Sequence, residues 1–536
     1  MKKISVLFLC CIFGVLTGYA QVLPQQKPRL DEDMDKLLKS FYAISNFYVD
    51  NTDNKKIVED AIVGMLEKLD PHSNYSDAEE TKDLNEPLES NFDGIGIQFN
   101  MLTDTVYVIQ VISGGPSEKV GLLAGDRIIF VDDTLIAGVK MKNTDVMKRL
   151  RGPKDTEVSV KVKRIGINDL LTFKIIRGKI PIFSMDAAYM ADKTTGYIRL
   201  SRFAISSTKE FSEALEKLKK QGMENLILDL QNNGGGYLHI AYELADEFLD
   251  KDKLIVYTQG RRQPRENALA TERGGFEKGR LIIMVDEFSA SASEIVSGAV
   301  QDWDRGIILG RRTFGKGLVQ KPILLPDGSM IRLTVARYYT PCGRNIQKPY
   351  NNGITEYNRD LIERYNRGEL MSADSIHFPD SSKFSTLLSK RTVYGGGGIM
   401  PDVFIPLDST RYTDFHRKIS GAGMINMVSM NYIDQNRKPL NKKYPDITSF
   451  KKNFNVPSET LDELLQLAKK ENIAFDEEQY EKSKHLITLQ IKALIARDLF
   501  DMSEYYQIMN DENSSLKEAL RIINDPVAYH KILGKE

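Results

Sequence analysis

The sequence predicts a multidomain α+β protein: a small β-rich module set ahead of an α/β core, with helical regions at both ends. Three observations predict it. Residues 92–178 carry short alternating or apolar runs, the pattern of half-buried strands. Residues 180–345 alternate apolar runs with amphipathic helical stretches, as a sheet with crossover connections requires. Residues 30–69, and again those from about 411 onward, repeat apolar residues at helical spacing. A length of 536 residues leaves room for several domains, and 41% hydrophobic with 27% charged residues is a globular composition.

Taken in order, the chain opens on a leader. Lys2 and Lys3 precede a short apolar run, Ile4 to Val15, and Gly18-Tyr19-Ala20 supplies small residues where a signal peptidase reads. The run is short for a membrane span, so cleavage after Ala20 and export to the periplasm or cell envelope are expected. Cys10 and Cys11 leave a lipid-anchored alternative, but neither follows a small residue in the usual manner. Loss of the leader moves the net charge from −1 to −3 and leaves Cys342 as the one cysteine, so no intrachain disulfide forms. A buried inert thiol is the expected state of Cys342.

Residues 21–90 form an N-terminal helical region, in which Leu37, Leu38, Phe41 and Ile44 share one face and Ile57, Ala61, Ile62, Met65 and Leu66 another. Its helical stretch, residues 30–69, closes at Asp70-Pro71-His72-Ser73, because Pro71 disfavours helix at Asp70. In the β-rich module, strands are expected near 96–99, 106–111, 127–131 and 158–162, and a helix over Asn143–Leu150. In the core, strands are expected over 196–200, 225–230, 280–285 and 306–309, and helices over 206–220, 237–249 and 292–302. Residues 350–395 read as a polar, irregular excursion, and 411–536 as a C-terminal helical region.

The near-neutral charge carries no signature of a nucleic-acid binder. One stretch, GRRTFGKG at 310–317, matches a phosphate-binding loop except at its last position. Gly317 has no hydroxyl for a metal, and the residues that follow, Leu318–Leu325 with Pro322, suit a strand rather than the helix such a loop needs. No nucleotide, metal or other cofactor is therefore implied. Lys316 stands between glycines, which permit close backbone approach. Upstream, DEFSASASE at 286–294 runs from an apolar strand into a helix. A serine there can project from the sheet edge near a helix N-terminus, or simply cap the helix. Ser206-Ser207-Thr208-Lys209 has the spacing of another serine–lysine class but fits a helix start. The six histidines accompany no Gly-x-Ser-x-Gly elbow, and structural or surface roles are expected of them.

The segment DEFSASASEIVSGAVQDWDRGIILGRRTFGKGLVQ resembles the C-terminal processing peptidases, or tail-specific proteases, of serine peptidase family S41. VEDAIVGMLEKLDPHS, FDGIGIQF, VISGGPSEKVGLLAGDRIIFVDD, LILDLQNNGGG, YYTPCGRNIQ and GGGGIMPD extend the resemblance over most of the chain before about 410. It implies a PDZ domain at 91–178, ahead of a ClpP/crotonase-like peptidase core at 179–410. It also implies that Ser291 is the nucleophile, Lys316 the general base and Gln320 the residue that orients the lysine. The oxyanion donors would be the amides of Ala292 and Gly235. The family usually has Pro at the position of Gly234 and Arg at that of Gln231, which leaves the second donor less defined. In the PDZ domain, Gly94, Ile95, Gly96 and Ile97 would hold a peptide's terminal carboxylate, with Val146, Met147 and Leu150 lining an apolar pocket. Arg151 lies where a polar link to the core would fall, and Asp155 replaces the usual glycine.

The implied activity is cleavage of exported proteins with apolar C-termini through an acyl-enzyme. The alternative is a silent PDZ scaffold or chaperone. The terminal helices offer surfaces for a homodimer, a higher oligomer or an adaptor protein.

Overall fold

The computed structural model of the chain describes residues 32–102, 104–112 and 114–535; the expected leader at 1–20 lies outside the described residues. The chain divides into two units, one ending at Met65 and one beginning at Leu66. The first contains α1 (Glu32–Phe47) and most of α2 (Asn54–Leu66). Both leave apolar side chains in solvent, among them Leu37, Leu38, Phe47 and Val58.

The second unit starts with β1 (Asn74–Ser76) and α3 (Ala78–Asn85). Asp77 and Glu80 form a reciprocal capping box that starts α3. The β-rich module follows: β2 (Asn91–Gly94), β3 (Ile97–Leu102), β4 (Thr105–Val111), α4 (Pro116–Lys119), β5 (Arg127–Val131), β6 (Thr134–Leu135), α5 (Asn143–Leu150), β7 (Glu157–Lys163), β8 (Leu171–Ile176) and β9 (Gly178–Pro181). Its sheet runs β3-β4-β5-β7-β8, so β3 is an edge, while β2 and β9 pair as an antiparallel neck. In β7 the side chains of Val158, Val160 and Val162 are fully buried and their neighbours are not. This is the two-residue alternation of a strand with one face on a core.

The core contains β10 (Met185–Met190), β11 (Thr195–Leu200), α6 (Ser207–Lys220), β12 (Asn225–Asp229), α7 (Leu238–Asp246), β13 (Leu254–Gln259), β14 (Glu266–Leu269), β15 (Leu281–Val285), α8 (Ala292–Asp302), β16 (Ile307–Gly310), β17 (Leu318–Leu324), β18 (Met330–Tyr339), α9 (Ile354–Asn366), β19 (Lys383–Ser385), β20 (Thr392–Tyr394) and β21 (Val403–Phe404). The main sheet runs β10-β11-β12-β15-β16-β21, antiparallel in its first pair and parallel after it. Every residue of β12 and β15 is buried, as a parallel strand covered on both faces must be. A second sheet runs β1-β18-β13-β14, with β17 also paired to β18.

The C-terminal helices are α10 (Asp414–Gly421), α11 (Met424–Lys443), α12 (Ile447–Asn453), α13 (Ser458–Lys470), α14 (Glu477–Leu499), α15 (Met502–Met509), α16 (Ser514–Ile523) and α17 (Pro526–Ile532). Helices α10 to α15 enclose a core of their own, built on Phe415, Phe450, Leu464, Ile491 and Ile508. Helices α16 and α17 pack Leu516, Ile522, Ile523 and Tyr529 onto the main sheet. Residues 350–395 differ from the expected irregular excursion, since they contain α9. Its buried residues are Tyr357 and Arg364, so the inward face is polar and leaves no apolar period to read. No helix among the described residues is long and apolar enough to cross a membrane.

Candidate active site

Strand β15 delivers the chain to a turn at residues 286–291, and α8 begins immediately after. Asp286 organises the turn, accepting the N–H groups of Phe288 and Ser289 and that of Asn232 from the neighbouring loop. Ser291 itself has φ +56° and ψ −110°, outside the ordinary left-handed region. Such a conformation costs on the order of 1–3 kcal/mol and persists only where surroundings enforce it. Three contacts enforce it here. Ser291 N–H donates to Glu294 Oε2 (2.8 Å), Tyr338 OH donates to the Ser291 carbonyl (3.2 Å), and Ala290 N–H donates to the Asn233 carbonyl (3.0 Å). The strained turn presents the Ser291 side chain at the head of α8, whose dipole favours negative charge.

The loop before β17 brings Lys316 to the same place. Glu294, fully buried, accepts the N–H groups of Lys316 (2.9 Å) and Gly315 (2.7 Å) and the hydroxyl of Thr313 (2.5 Å). One carboxylate thus staples the serine turn to the lysine loop, and Tyr338 OH, which also meets the Lys316 carbonyl at 2.7 Å, does so from the other side. Burial pushes the Glu294 carboxyl up to about 7, against the four donors that hold it down. The flanking glycines are needed for space. A Cβ at Gly317 would stand 2.8 Å from the Gln347 backbone nitrogen, and one at Gly315 would stand 3.2 Å from the Lys348 Cβ. The loop leads into β17, so the helix of a phosphate loop is absent here.

Lys316 Nζ donates to Gln320 Oε1 at 2.9 Å. Burial lowers the lysine to about 8, helped by the positive charge of Arg332 and opposed by Glu294 and Asp70. Among the described residues no hydrogen bond joins Ser291 Oγ to Lys316 Nζ; the amine is turned to Gln320. Gln320 in turn donates to the backbone carbonyl of His72 (2.5 Å), which the sequence reading had not placed at the site.

The glycine turn at 234–236 closes the site. A Cβ at Gly235 would meet Ser291 Cβ at 2.9 Å and Ala292 N at 3.0 Å, so the two backbones lie side by side, but the donor expected of Gly235 is engaged inside its own turn. The Gly235 amide donates to Asn233 Oδ1 (2.9 Å). Ala292 opens α8, where the first N–H groups have no partner within the helix.

In the β-rich module a cavity of about 270 Å³ lies between edge strand β3 and α5, lined by Ile95, Gly96, Ile97, Phe99, Met147, Leu150 and Arg151 among others. Two expected residues are elsewhere. Val146 is fully buried in the module core, because it sits one helical step round from Met147. Gly94 belongs to the β2–β9 pair, opposite Gly178, against the Phe92 ring. Arg151 pairs with Glu86 and lies over Phe92. The segment carrying Glu86 meets the core, where Leu88 accepts the N–H of Ile205 and Ser90 that of Ser206. Asp155 has φ +67°, where glycine is favoured, and this accounts for the glycine usual there.

The remaining candidates resolve simply. Ser207 Oγ accepts the Ala204 N–H at the start of α6, and Lys209 faces Glu213 in solvent. Cys342 is partly buried, and burial pushes its thiol up to about 11.

Residues 194–356 match peptidase family S41, and residues 94–176 match a PDZ domain. Residues 18–81 match the activating protease CtpB N-terminal domain, and 415–501 a family of unknown function. The carboxy-terminal-processing protease of Bartonella bacilliformis is 36% identical over 57% of this chain and 71% of that protein. Carboxy-terminal processing protease CtpB of Bacillus subtilis is 35% identical over 62% of this chain and 69% of that protein. Among solved structures, the photosystem II D1 C-terminal processing protease is 30% identical, covering 59% of this chain and 90% of that one, with a TM-score of 0.33. The chain belongs to the carboxy-terminal processing proteases of peptidase family S41. Its β-rich module is a PDZ domain, placed ahead of the peptidase domain.

Proposed function

We propose that the chain is a serine endopeptidase using a Ser291–Lys316 dyad, directed by its PDZ domain to apolar C-termini of exported proteins in the periplasm or cell envelope. One observation carries the dyad: a strained serine turn and a buried lysine of lowered pKa are stapled together by Glu294. A serine hydroxyl needs an adjacent base to attack a carbonyl. Neutral Lys316 takes the Oγ proton as Oγ bonds to the scissile carbonyl carbon. The oxyanion that forms faces the Ala292 amide and the 234–236 turn, where preorganised donors stabilise it. Collapse breaks the C–N bond, and the lysinium returns its proton to the leaving amine. Lys316 then deprotonates the water that hydrolyses the acyl-enzyme. Gln320 directs the amine without adding a negative charge that would raise its pKa. Lys316 leaves Gln320 for Ser291 by rotation of its own flexible side chain, a tightening usual between resting and substrate-bound enzymes.

Substrate capture follows the geometry of the PDZ cavity. The peptide adds to edge strand β3, its last side chain enters between Ile97 and Leu150, and its carboxylate meets the amides near Ile95 to Ile97. The Arg151–Glu86 contact connects that cavity to the core. Incubation with a model substrate ending in an apolar tail tests the reading. Ser291→Ala and Lys316→Ala should each lower kcat by about a thousandfold or more, and amidation of the tail should raise KM. Equal cleavage by parent and both variants would sink the dyad.

A further inference from the structure

Gln320 has a donor end and an acceptor end, and the structure uses each once. Its Nε2 donates to the His72 carbonyl (2.5 Å) and its Oε1 accepts from Lys316 Nζ (2.9 Å). If the amide turned over, oxygen would face oxygen and nitrogen would face the amine. The position of the His72 carbonyl therefore decides which end the lysine meets.

That carbonyl is held from two directions. Within its own turn, Asp70 Oδ1 accepts the N–H groups of His72 (2.9 Å) and Ser73 (3.0 Å), and Ser73 Oγ donates to Asp70 Oδ2 (2.6 Å). Ser73 Oγ also accepts the N–H of Thr334 (3.1 Å), and Thr334 lies opposite Gln320 in the β17–β18 register. From outside, the His72 ring is fixed by α9. Its Nε2 lies 2.6 Å from Tyr357 OH, with the Tyr357 ring edge-on at 5.2 Å and Phe314 at 6.4 Å. Tyr357 OH accepts from Gln347 Nε2 (3.3 Å), which leaves its own proton for His72 Nε2. Gln347 Oε1 takes the N–H of Gly317 (2.9 Å), so Tyr357 braces both sides of Lys316.

We propose that His72 and Tyr357 are positioning residues for the base: α9 holds the Asp70–Ser73 turn, the turn fixes the Gln320 amide, and the amide aims Lys316. Neither residue touches the reacting atoms. The inference rests on the Ser291–Lys316 reading above.

The test uses the full chain and a peptide with an apolar tail, with kcat and KM followed from about pH 6 to 10. Tyr357→Phe removes one oxygen and keeps the ring. His72→Ala removes the ring, and His72→Gln restores a polar end within reach of Tyr357. Tyr357→Phe and His72→Ala should each lower kcat about tenfold, the scale of one lost hydrogen bond, with KM within about twofold. Their acid limb should move up from about 8, because a loosened amine admits the water whose exclusion lowers it. His72→Gln should recover part of both effects. The charges facing the amine, Arg332, Glu294 and Asp70, are untouched by these variants. An unmoved acid limb in both variants overturns the inference, as does a kcat loss that His72→Gln does not relieve. If His72→Ala fails to fold, Tyr357→Phe decides alone. A Ser291→Ala variant as active as the parent refutes the dyad itself. An inactive Ser291→Ala beside unaltered Tyr357→Phe and His72→Ala refutes only the positioning.

Discussion

At Gly235 the backbone runs at φ +101°, and a Cβ there would approach Ala290 O and Ser291 Cβ to 2.9 Å and Ala292 N to 3.0 Å. Gly235→Ala therefore meets a conformational penalty and a collision with the Ser291 turn at once. We expect kcat to fall about a hundredfold, the scale of a lost oxyanion donor, because the added methyl pushes the Ala292 amide and the Ser291 turn out of place, with about 1–3 kcal/mol lost from stability. Steady-state kinetics beside thermal unfolding separates the two; a variant with normal kcat would remove the 234–236 turn from the oxyanion site. Lys316 gives a second expectation at this scale. The proposed base is its neutral form, and its pKa is lowered to about 8 chiefly by burial. Activity should therefore rise with pH through about 8 and level off above it. Lys316→Arg should be inactive at every pH, because a guanidinium does not release its proton in this range. A profile flat from pH 6 to about 10 would show that Lys316 is not the base. The serine and lysine were legible because each sits in a recognisable stretch. Glu294 was not, although it is three residues from Ser291: a carboxylate inside an apolar helix face shows its purpose only when the donors from another loop are seen. His72 was not because its contribution is a backbone carbonyl, which every residue has.

Elements were legible where one face is apolar. The valines of β7 and the apolar faces of α6 and α8 gave their periods directly, and α5 has the bounds expected of it. Helix α9 gave none, because Tyr357 and Arg364 form its buried face. Arg364 donates to the carbonyls of Thr313 and Arg312, so α9 grips the lysine loop through polar groups. Helix α5 shows how fine the limit is. Its sequence placed Val146, Met147 and Leu150 together on the peptide pocket, but Val146 points into the module core and only the other two line the cavity. This separates two variants. Val146→Ala should cost about 2 kcal/mol of PDZ stability by leaving a cavity. Met147→Glu should leave stability nearly unchanged and raise KM for apolar tails about tenfold, because a carboxylate then faces the peptide's apolar side chain. Equal KM for Met147→Glu and the parent would place the peptide elsewhere.

At the scale of the whole molecule, the C-terminal helices do two different things. Helices α10 to α14 share a core with Ile508 of α15, whereas α16 and α17, joined by Tyr506 of α15, cover the peptidase sheet. Leu516, Ile522, Ile523 and Leu533 cover the face of the main sheet formed by Tyr197, Ile227, Ile282, Ile307 and Leu309. Tyr529 OH meets the backbone N and O of Leu281, at the start of the strand that leads to Ser291. On α15, the Tyr506 ring lies under Arg199, which pairs with Asp229 and donates to the Gln231 carbonyl at the head of the glycine turn. Burying one large aliphatic side chain contributes about 1.5–3 kcal/mol, so the four together rival the whole stability of an ordinary domain, about 5–15 kcal/mol. A chain ending at Asp501 should therefore lose cooperative unfolding and all cleavage, even though Ser291, Lys316, Gln320 and the PDZ domain remain. Tyr529→Phe, which removes only the hydroxyl, should cost about 1–2 kcal/mol and leave kcat intact. Calorimetry and peptide cleavage on the two variants distinguish a covering role from an accessory one. A chain ending at Asp501 that unfolds cooperatively and still cleaves would make α15 to α17 an appendage, free to serve the oligomer or adaptor that the sequence left open.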